Sequence, residues 1–317
     1  MRRKVLLAGA GQLGSRYLQG MAKHKQPLEI SVCDPSAASL EGAALRWAEM
    51  GAACEVHDVH WITDLADLSG EFDLAVLATT ADVRPELAQR IAAQGRIKNW
   101  VMEKVLAQSL QGLDSLRQAV GPYGSAWINT PMYMWSLYRQ LREKFVGNSP
   151  VHASFEGFRG LACNAIHYID FVSRWNGAVI TEVDTSGLER SWHPAKREGF
   201  FEVDGLLELK FEDGSTLRMA TGAGLPPYSV QISAAGQEWK VSESGGFALS
   251  ADGMRIEGSA AFQSQLTSPL MEAIFDKGEC ALPTLAQSDQ QHRVFLSALL
   301  KHWNSVMPAR SDILFIT

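Results

Sequence analysis

The stretch Cys163-Asn164-Ala165-Ile166-His167-Tyr168-Ile169-Asp170 sets a histidine and an aspartate one helical turn apart among apolar residues. An imidazole is a proton donor or acceptor near neutral pH, and a carboxylate one turn away can orient it or tune it. On a helix, Cys163, His167, Asp170 and Arg174 fall on one narrow stripe, and apolar side chains between Leu161 and Trp175 fill most of the remaining circumference. A helix apolar over so wide an arc is largely buried. Its polar stripe therefore faces a cleft, forms a satisfied buried His–Asp pair, or makes a thin solvent face. Spacing alone leaves these open. If Asn164 is the N-cap, Cys163 leaves the stripe and the other three remain.

Two further patterns carry chemistry. Gly9-Ala10-Gly11-Gln12-Leu13-Gly14 matches GxGxxG directly after an apolar run, and Asp34 follows 20 positions past Gly14. The first glycine allows a tight turn, the second lets backbone approach a pyrophosphate, and the third lets helix and strand pack closely. The helix that the glycines open offers its N-terminal N–H groups to phosphates, and Gln12 and Leu13 join the three glycines as candidate cofactor contacts. Asp34 suits an adenosine ribose and repels a 2′-phosphate, which points to NAD over NADP. A glycine turn without a ligand is the alternative. The second pattern is Glu103-Lys104, ending an apolar run. Desolvation disfavours an ammonium, so a lysine there is a candidate proton donor or acceptor for a hydroxyl group. An exposed ion pair explains the dipeptide equally well. Thr79 and Thr80 end another such run and, with Glu103, are candidates for lining a cofactor cleft.

These residues need a scaffold, and the sequence outlines one. Apolar runs at 4–8, 28–35, 72–80 and 99–104 alternate with helical stretches at 15–24, 39–51, 84–95 and 109–120. Pro85 near the start and Gly95 just past the end mark the third helix. Strands alternating with helices imply a parallel sheet covered on both faces, an N-terminal Rossmann domain. The rhythm changes near residue 125. A helix over 134–145, a strand over 151–158 and the helix over 163–175 lead into strands with turn signals, such as Asp213-Gly214 between alternating runs. A helix over 288–306 ends the chain. The reading is a Rossmann domain over 1–125 and a second α/β domain over 126–317 with a large open, mostly antiparallel sheet.

The apolar fraction of 46% and 317 residues suit two folded domains. A net charge of -6 argues against nucleic acid or an anionic membrane as a partner. No apolar run spans a bilayer, and the basic start followed by apolar residues reads as a strand leading into the glycine turn rather than a signal peptide. Cys33, Cys54, Cys163 and Cys280 lie far apart without a CxxC pair, which implies reduced thiols in a cytoplasmic protein, with no zinc site. His57 and His60 lack a third ligand at a suitable spacing and read as a surface loop. Trp192 and His193 before Pro194 read as a loop, and His292 as a surface residue of the last helix.

Taken in order, "KVLLAGAGQLGSRYLQGM", the strand ending in Thr79-Thr80, "MEK" and the His-x-x-Asp helix resemble the Gfo/Idh/MocA family of glucose-fructose-oxidoreductase-like and inositol-dehydrogenase-like enzymes. The resemblance covers nearly the whole chain. It implies an NAD(P)-dependent oxidoreductase acting on a sugar or cyclitol, with Lys104 and His167 beside the reacting carbon and Asn129 near the nicotinamide. It also implies a homodimer or homotetramer joined through the open sheet, whose second face needs cover. The "CNAIHYID" variant resembles members associated with surface-polysaccharide or sialic-acid-like sugars. Two departures stand out. Val105 replaces the proline after the lysine, and Cys163 replaces an aspartate four residues before the histidine. A thiol does not replace a carboxylate in a proton relay at neutral pH, so Asn164 or Asp170 must substitute, and Cys163 and Asn164 are candidate substrate contacts. Otherwise the chain is a non-catalytic dinucleotide-binding sensor or partner protein.

Overall fold

The computed structural model describes residues 2–122, 124–145 and 149–317. The chain forms two compact units. The first comprises Met1–Leu106, Gln111–Asn129 and Ala261–Leu285; the second comprises Ala107–Leu110, Thr130–Ala260 and Ala286–Thr317.

The first unit begins with β1 (Arg3–Ala8), α1 (Gln12–Met21), β2 (Leu28–Cys33), α2 (Ala37–Ala48), β3 (Asp58–Ile62) and β4 (Leu74–Leu77). It continues with α3 (Arg84–Gln94), β5 (Asn99–Met102), α4 (Leu110–Val120) and β6 (Ser125–Ile128). The six strands pair in parallel in the order β3-β2-β1-β4-β5-β6. The order reverses between β1 and β4, and ligands of such sheets bind at the carboxyl ends beside that point. Val5–Ala8 and Leu74–Leu77 are buried throughout, as strands covered on both faces must be.

Strands β3 and β6 are additions to the sequence reading. His57 and His60 do not lie in a surface loop. His57 is buried, its Nδ1 accepts the Leu28 N–H at 3.1 Å, and its Nε2 lies 3.3 Å from the Ala22 carbonyl. A neutral ring protonated on Nε2 satisfies both contacts, and burial lowers its pKa. His60 sits exposed on edge strand β3. Strand β6 also moves the boundary. Residue 125 opens the sixth strand of the sheet, and the chain leaves the first unit after Asn129.

The second unit contains α5 (Ser136–Arg142), β7 (Val151–Glu156), α6 (Leu161–Asn176), β8 (Ile180–Asp184), β9 (Leu188–Pro194) and β10 (Phe201–Phe211). After these come β11 (Thr216–Thr221), β12 (Ser229–Ala234), β13 (Gln237–Ser242), β14 (Phe247–Ser250) and β15 (Arg255–Glu257). The chain then returns to the first unit as α7 (Gln263–Lys277), which packs on α1, before α8 (Leu285–Val306). Gly20 allows the α1–α7 approach, since a Cβ there would lie 2.5 Å from the Thr267 Cβ.

The large sheet runs β15-β14-β13-β12-β7-β11-β10-β8, with β9 also on β10, and every pairing except β7–β11 is antiparallel. Helix α6 packs on one face, with the Tyr168 and Phe155 rings 4.2 Å apart. Along β7, Val151, Ala153 and Phe155 are buried while His152, Ser154 and Glu156 point the other way. That second face carries ion pairs, Arg218 with Glu156 and Lys210 with Glu182. Trp192 and His193 lie in β9 rather than a loop, and the Trp192 indole N–H donates to His302 Nδ1 at 3.2 Å. Among the described residues, no helix is long and apolar enough to cross a membrane.

Candidate active site

At the carboxyl end of β1 the chain turns at Gly9, whose φ of +98° suits a residue without a Cβ. The Gly9 N–H donates to the Cys33 carbonyl at 2.8 Å, which pins the turn to β2. Gly14 packs directly under the turn: a Cβ there would lie 1.9 Å from the Gly9 carbonyl oxygen. Gly11 caps α1 in extended conformation, and a Cβ on it would meet nothing within 4 Å. Gly11, Gln12 and Leu13 are exposed, and the first turn of α1 contains no acidic residue. The turn therefore presents helix N-terminal N–H groups with open space above Gly11, which is where an anionic group fits. Asp34 stands beside it. Its carboxylate accepts the Ala10 N–H at 2.7 Å and the Ser36 N–H at 2.9 Å, so it is fixed against the loop and retains further lone pairs.

Thr79 and Thr80 follow β4, both half-buried. The Thr79 hydroxyl is buried without a hydrogen-bond partner among the described residues. Lys104 follows β5 and is half-buried, and its peptide bond to Val105 is cis. Glu103 is 4% exposed, which rules out an exposed ion pair. Its carboxylate accepts from the Tyr17 hydroxyl and from the Asn129 amide, each at 2.6 Å, and the same amide reaches Gln263 Oε1 at 2.8 Å. Burial raises the pKa of Glu103 and raises that of Tyr17 well above the ordinary phenol value. Glu103 and Asn129 thus brace one another across the ends of β5 and β6, directly beside Lys104. Tyr17 and Gln263 complete the brace. The sequence reading missed both, because nothing in their local pattern separates them from ordinary helix residues.

In the second unit, α6 starts at Leu161 with Gly160 as its N-cap, so Cys163 stays on the stripe. Cys163, His167 and Arg174 are half-buried. The Asn164 amide donates to the Arg159 carbonyl at 2.9 Å, outside the cap position. The helix N-terminus is filled from β10: Glu202 accepts the Ala162 N–H at 2.8 Å and the Cys163 N–H at 3.3 Å. Glu202 lies 39 residues from Cys163, and no local signal reveals it.

Asp170 departs from its expected catalytic role. It is 2% exposed, and its Oδ2 accepts from Thr130 Oγ1 at 2.9 Å and from Ser288 Oγ at 2.7 Å. His292, expected on the surface, is fully buried behind Ser288, with its Nδ1 2.8 Å from the Ser288 carbonyl. A carboxylate so enclosed does not reach a substrate; it fixes the α6 turn after His167. Burial pushes its pKa up to about 6, against the lowering effect of the two hydroxyl donors. The folded-state value lies above the unfolded one of about 3.9. The resulting stability is therefore fully present below about pH 4 and lost as pH rises through about 6, some ~3 kcal/mol in all. Denaturant unfolding at pH 4 and pH 7 measures this. Wild type is expected to lose ~2 kcal/mol more than Asp170→Asn over that interval, and equal losses would contradict the assignment.

No family model matches the sequence, and no curated protein matches it. Solved structures do match the fold. A proposed NADPH-dependent oxidoreductase from Desulfitobacterium hafniense is 13% identical, with 94% of each chain covered and a TM-score of 0.70. The scyllo-inositol dehydrogenase of Lactobacillus casei, solved with NAD(H) and scyllo-inositol, is 13% identical over 94% of this chain and 96% of its own, with a TM-score of 0.64. The WlbA dehydrogenase of Bordetella pertussis, solved with NADH and UDP-GlcNAcA, is 16% identical over 97% of this chain and 96% of its own, with a TM-score of 0.66. At these identities the likeness establishes a common fold.

Proposed function

We propose that this chain, which has the fold of the Gfo/Idh/MocA-type dehydrogenases, is an NAD-dependent oxidoreductase acting on a carbinol carbon of a sugar or sugar-derived substrate. The observation that carries the reading is the glycine turn at the carboxyl end of β1, with open space above Gly11 and Asp34 fixed beside it. Gly9, Gly11, Gln12, Leu13 and Gly14 hold the pyrophosphate, Asp34 the adenosine ribose, and Thr79 and Thr80 line the cleft. The nicotinamide supplies a hydride acceptor or donor. In the oxidising direction Lys104 would take the hydroxyl proton while the hydride passes from the same carbon to the nicotinamide. In reduction Lys104 returns the proton to the carbonyl oxygen. By the family resemblance His167 is assigned as a second proton-handling residue, and Asp170 positions His167 from within the core of its own unit. Glu103 and Asn129 keep Lys104 in register.

Among sugars, we assign a sugar nucleotide or similar precursor, as in surface-polysaccharide or sialic-acid-like synthesis, by analogy with the UDP-GlcNAcA of the Bordetella protein. We place the protein in the cytoplasm, where NAD(H) is present and thiols stay reduced. One observation favours a second reading, a dinucleotide-binding sensor without turnover. Cys163 stands where the resemblance calls for an aspartate, and Asp170 is too enclosed to replace it.

The experiment for the cofactor is a fluorescence titration with NADH and NADPH. NADH is expected to bind about tenfold more tightly or better, since the Asp34 carboxylate opposes a 2′-phosphate. Tighter NADPH binding would overturn the role given to Asp34. We also propose a homodimer or homotetramer formed through the open face of the large sheet. Light scattering at micromolar concentration is expected to give a multiple of the 34.7 kDa chain mass, and a monomer counts against the assembly.

A further inference from the structure

Arg84 is the N-terminal residue of α3, yet its side chain is fully buried. A buried guanidinium is costly unless its donors are used. Here they converge on backbone. Nη1 donates to the carbonyls of Val105 and Leu106, the latter at 3.0 Å, and Nη2 donates to the carbonyl of Thr79. These acceptors lie in the segments that follow β5 and β4, where Lys104 and the cleft threonines sit. The buried Glu103 and the exposed Asp82 offset the charge, and burial lowers the pKa of Arg84 to about 10, which leaves it cationic at neutral pH.

We infer that Arg84 is a positioning residue for Lys104: its planar fork ties the two peptide carbonyls after Lys104 to the end of β4 and thereby sets where the ammonium points. Val105 brings no ring constraint of its own to this segment, so the guanidinium supplies the restraint on the backbone there. Three carbonyls at fixed angles suit a planar, multiply donating group. A lysine reaches part of the set as a point donor, and a glutamine reaches less. This rests on the reading of Lys104 as the proton-handling group.

The test compares Arg84→Lys and Arg84→Gln with wild type. Arg84→Gln is expected to cut turnover about tenfold or more, because a displacement near 1 Å at a reacting group costs up to about a hundredfold. The NADH dissociation constant stays within about twofold in both variants, since the Arg84 hydrogen bonds reach the carbonyls of Thr79, Val105 and Leu106 rather than the glycine turn. Arg84→Lys recovers most of the rate, and the pH–rate profile moves in Arg84→Gln and returns toward wild type in Arg84→Lys. A readout independent of any substrate is the NMR resonance of Lys104 after reductive 13C-methylation, identified by its loss in Lys104→Arg. It is expected to shift or split in Arg84→Gln and to stay near the wild-type position in Arg84→Lys. Folded variants whose Lys104 resonance matches wild type would overturn the inference. So would unfolding of both variants, which would make Arg84 a stability residue only. If wild type turns over no sugar, the resonance still decides the role of Arg84, and the oxidoreductase reading fails separately.

Discussion

Lys104→Ala is expected to lower turnover about a hundredfold to ten-thousandfold while leaving NADH affinity within about twofold, the cost of losing general acid–base help without disturbing the nucleotide site. The residue sits half-buried at the carboxyl end of β5, beside the Tyr17–Glu103–Asn129 brace that fixes its strand end. His167→Ala is expected to lower turnover likewise if it is the second proton-handling residue, as proposed above; the double variant is measured beside it. Asp170→Asn acts through the packing of α6 and has a smaller effect. Steady-state rates with a panel of sugars, polyols and sugar nucleotides measure all four. Before a substrate is in hand, His167→Ala should abolish sugar-dependent changes in NADH fluorescence and leave the cofactor titration unchanged. If it instead unfolds the protein with no separate effect on ligand response, the α6 stripe is structural. Wild-type rates in every variant would contradict these roles, and absence of turnover by wild type with the whole panel would support the sensor reading.

Gly14→Ala is the second change with a large expected effect. The added methyl would sit 1.9 Å from the Gly9 carbonyl oxygen, and backbone cannot swing aside as a side chain would. The turn itself must open, and Gly9 is held to β2 through the Cys33 carbonyl. Overpacking of this kind costs about 1–3 kcal/mol, and the distorted turn should weaken NADH binding about tenfold or more. Thermal unfolding together with NADH titration reads both effects. Unchanged stability would mean the turn is looser than its geometry.

The Rossmann unit was legible because its determinants are local: continuous apolar runs, a glycine pattern and an acidic residue at the expected separation. Edge strand β3 was not, since its exposed, half-polar sequence Asp58–Ile62 lacks the apolar run of a buried strand. Strand β6 has only four residues, and α7 joins the first core from a sequence position after the meander, which no periodicity reveals. The stripe on α6 followed from the helical repeat, but the fate of each member did not. His167 is half-buried, while Asp170 is claimed by Thr130 and Ser288, 40 and 118 positions away. Glu202 and Arg84 stayed hidden for the same reason: their partners are backbone groups brought near by tertiary structure.

The central claim is that a dinucleotide pyrophosphate lies over Gly11, and one substitution isolates it. A Cβ at Gly11 meets no protein atom within 4 Å, and its φ of -63° is ordinary for alanine. Gly11→Ala should therefore fold with stability within about 1 kcal/mol of wild type, the modest cost of alanine at an N-cap. Only a bound pyrophosphate would meet the methyl. NADH titration of folded Gly11→Ala should show affinity reduced about tenfold or more. Wild-type NADH affinity in that variant would contradict the account, because the cofactor would then not approach the backbone where the glycine turn leaves room for it.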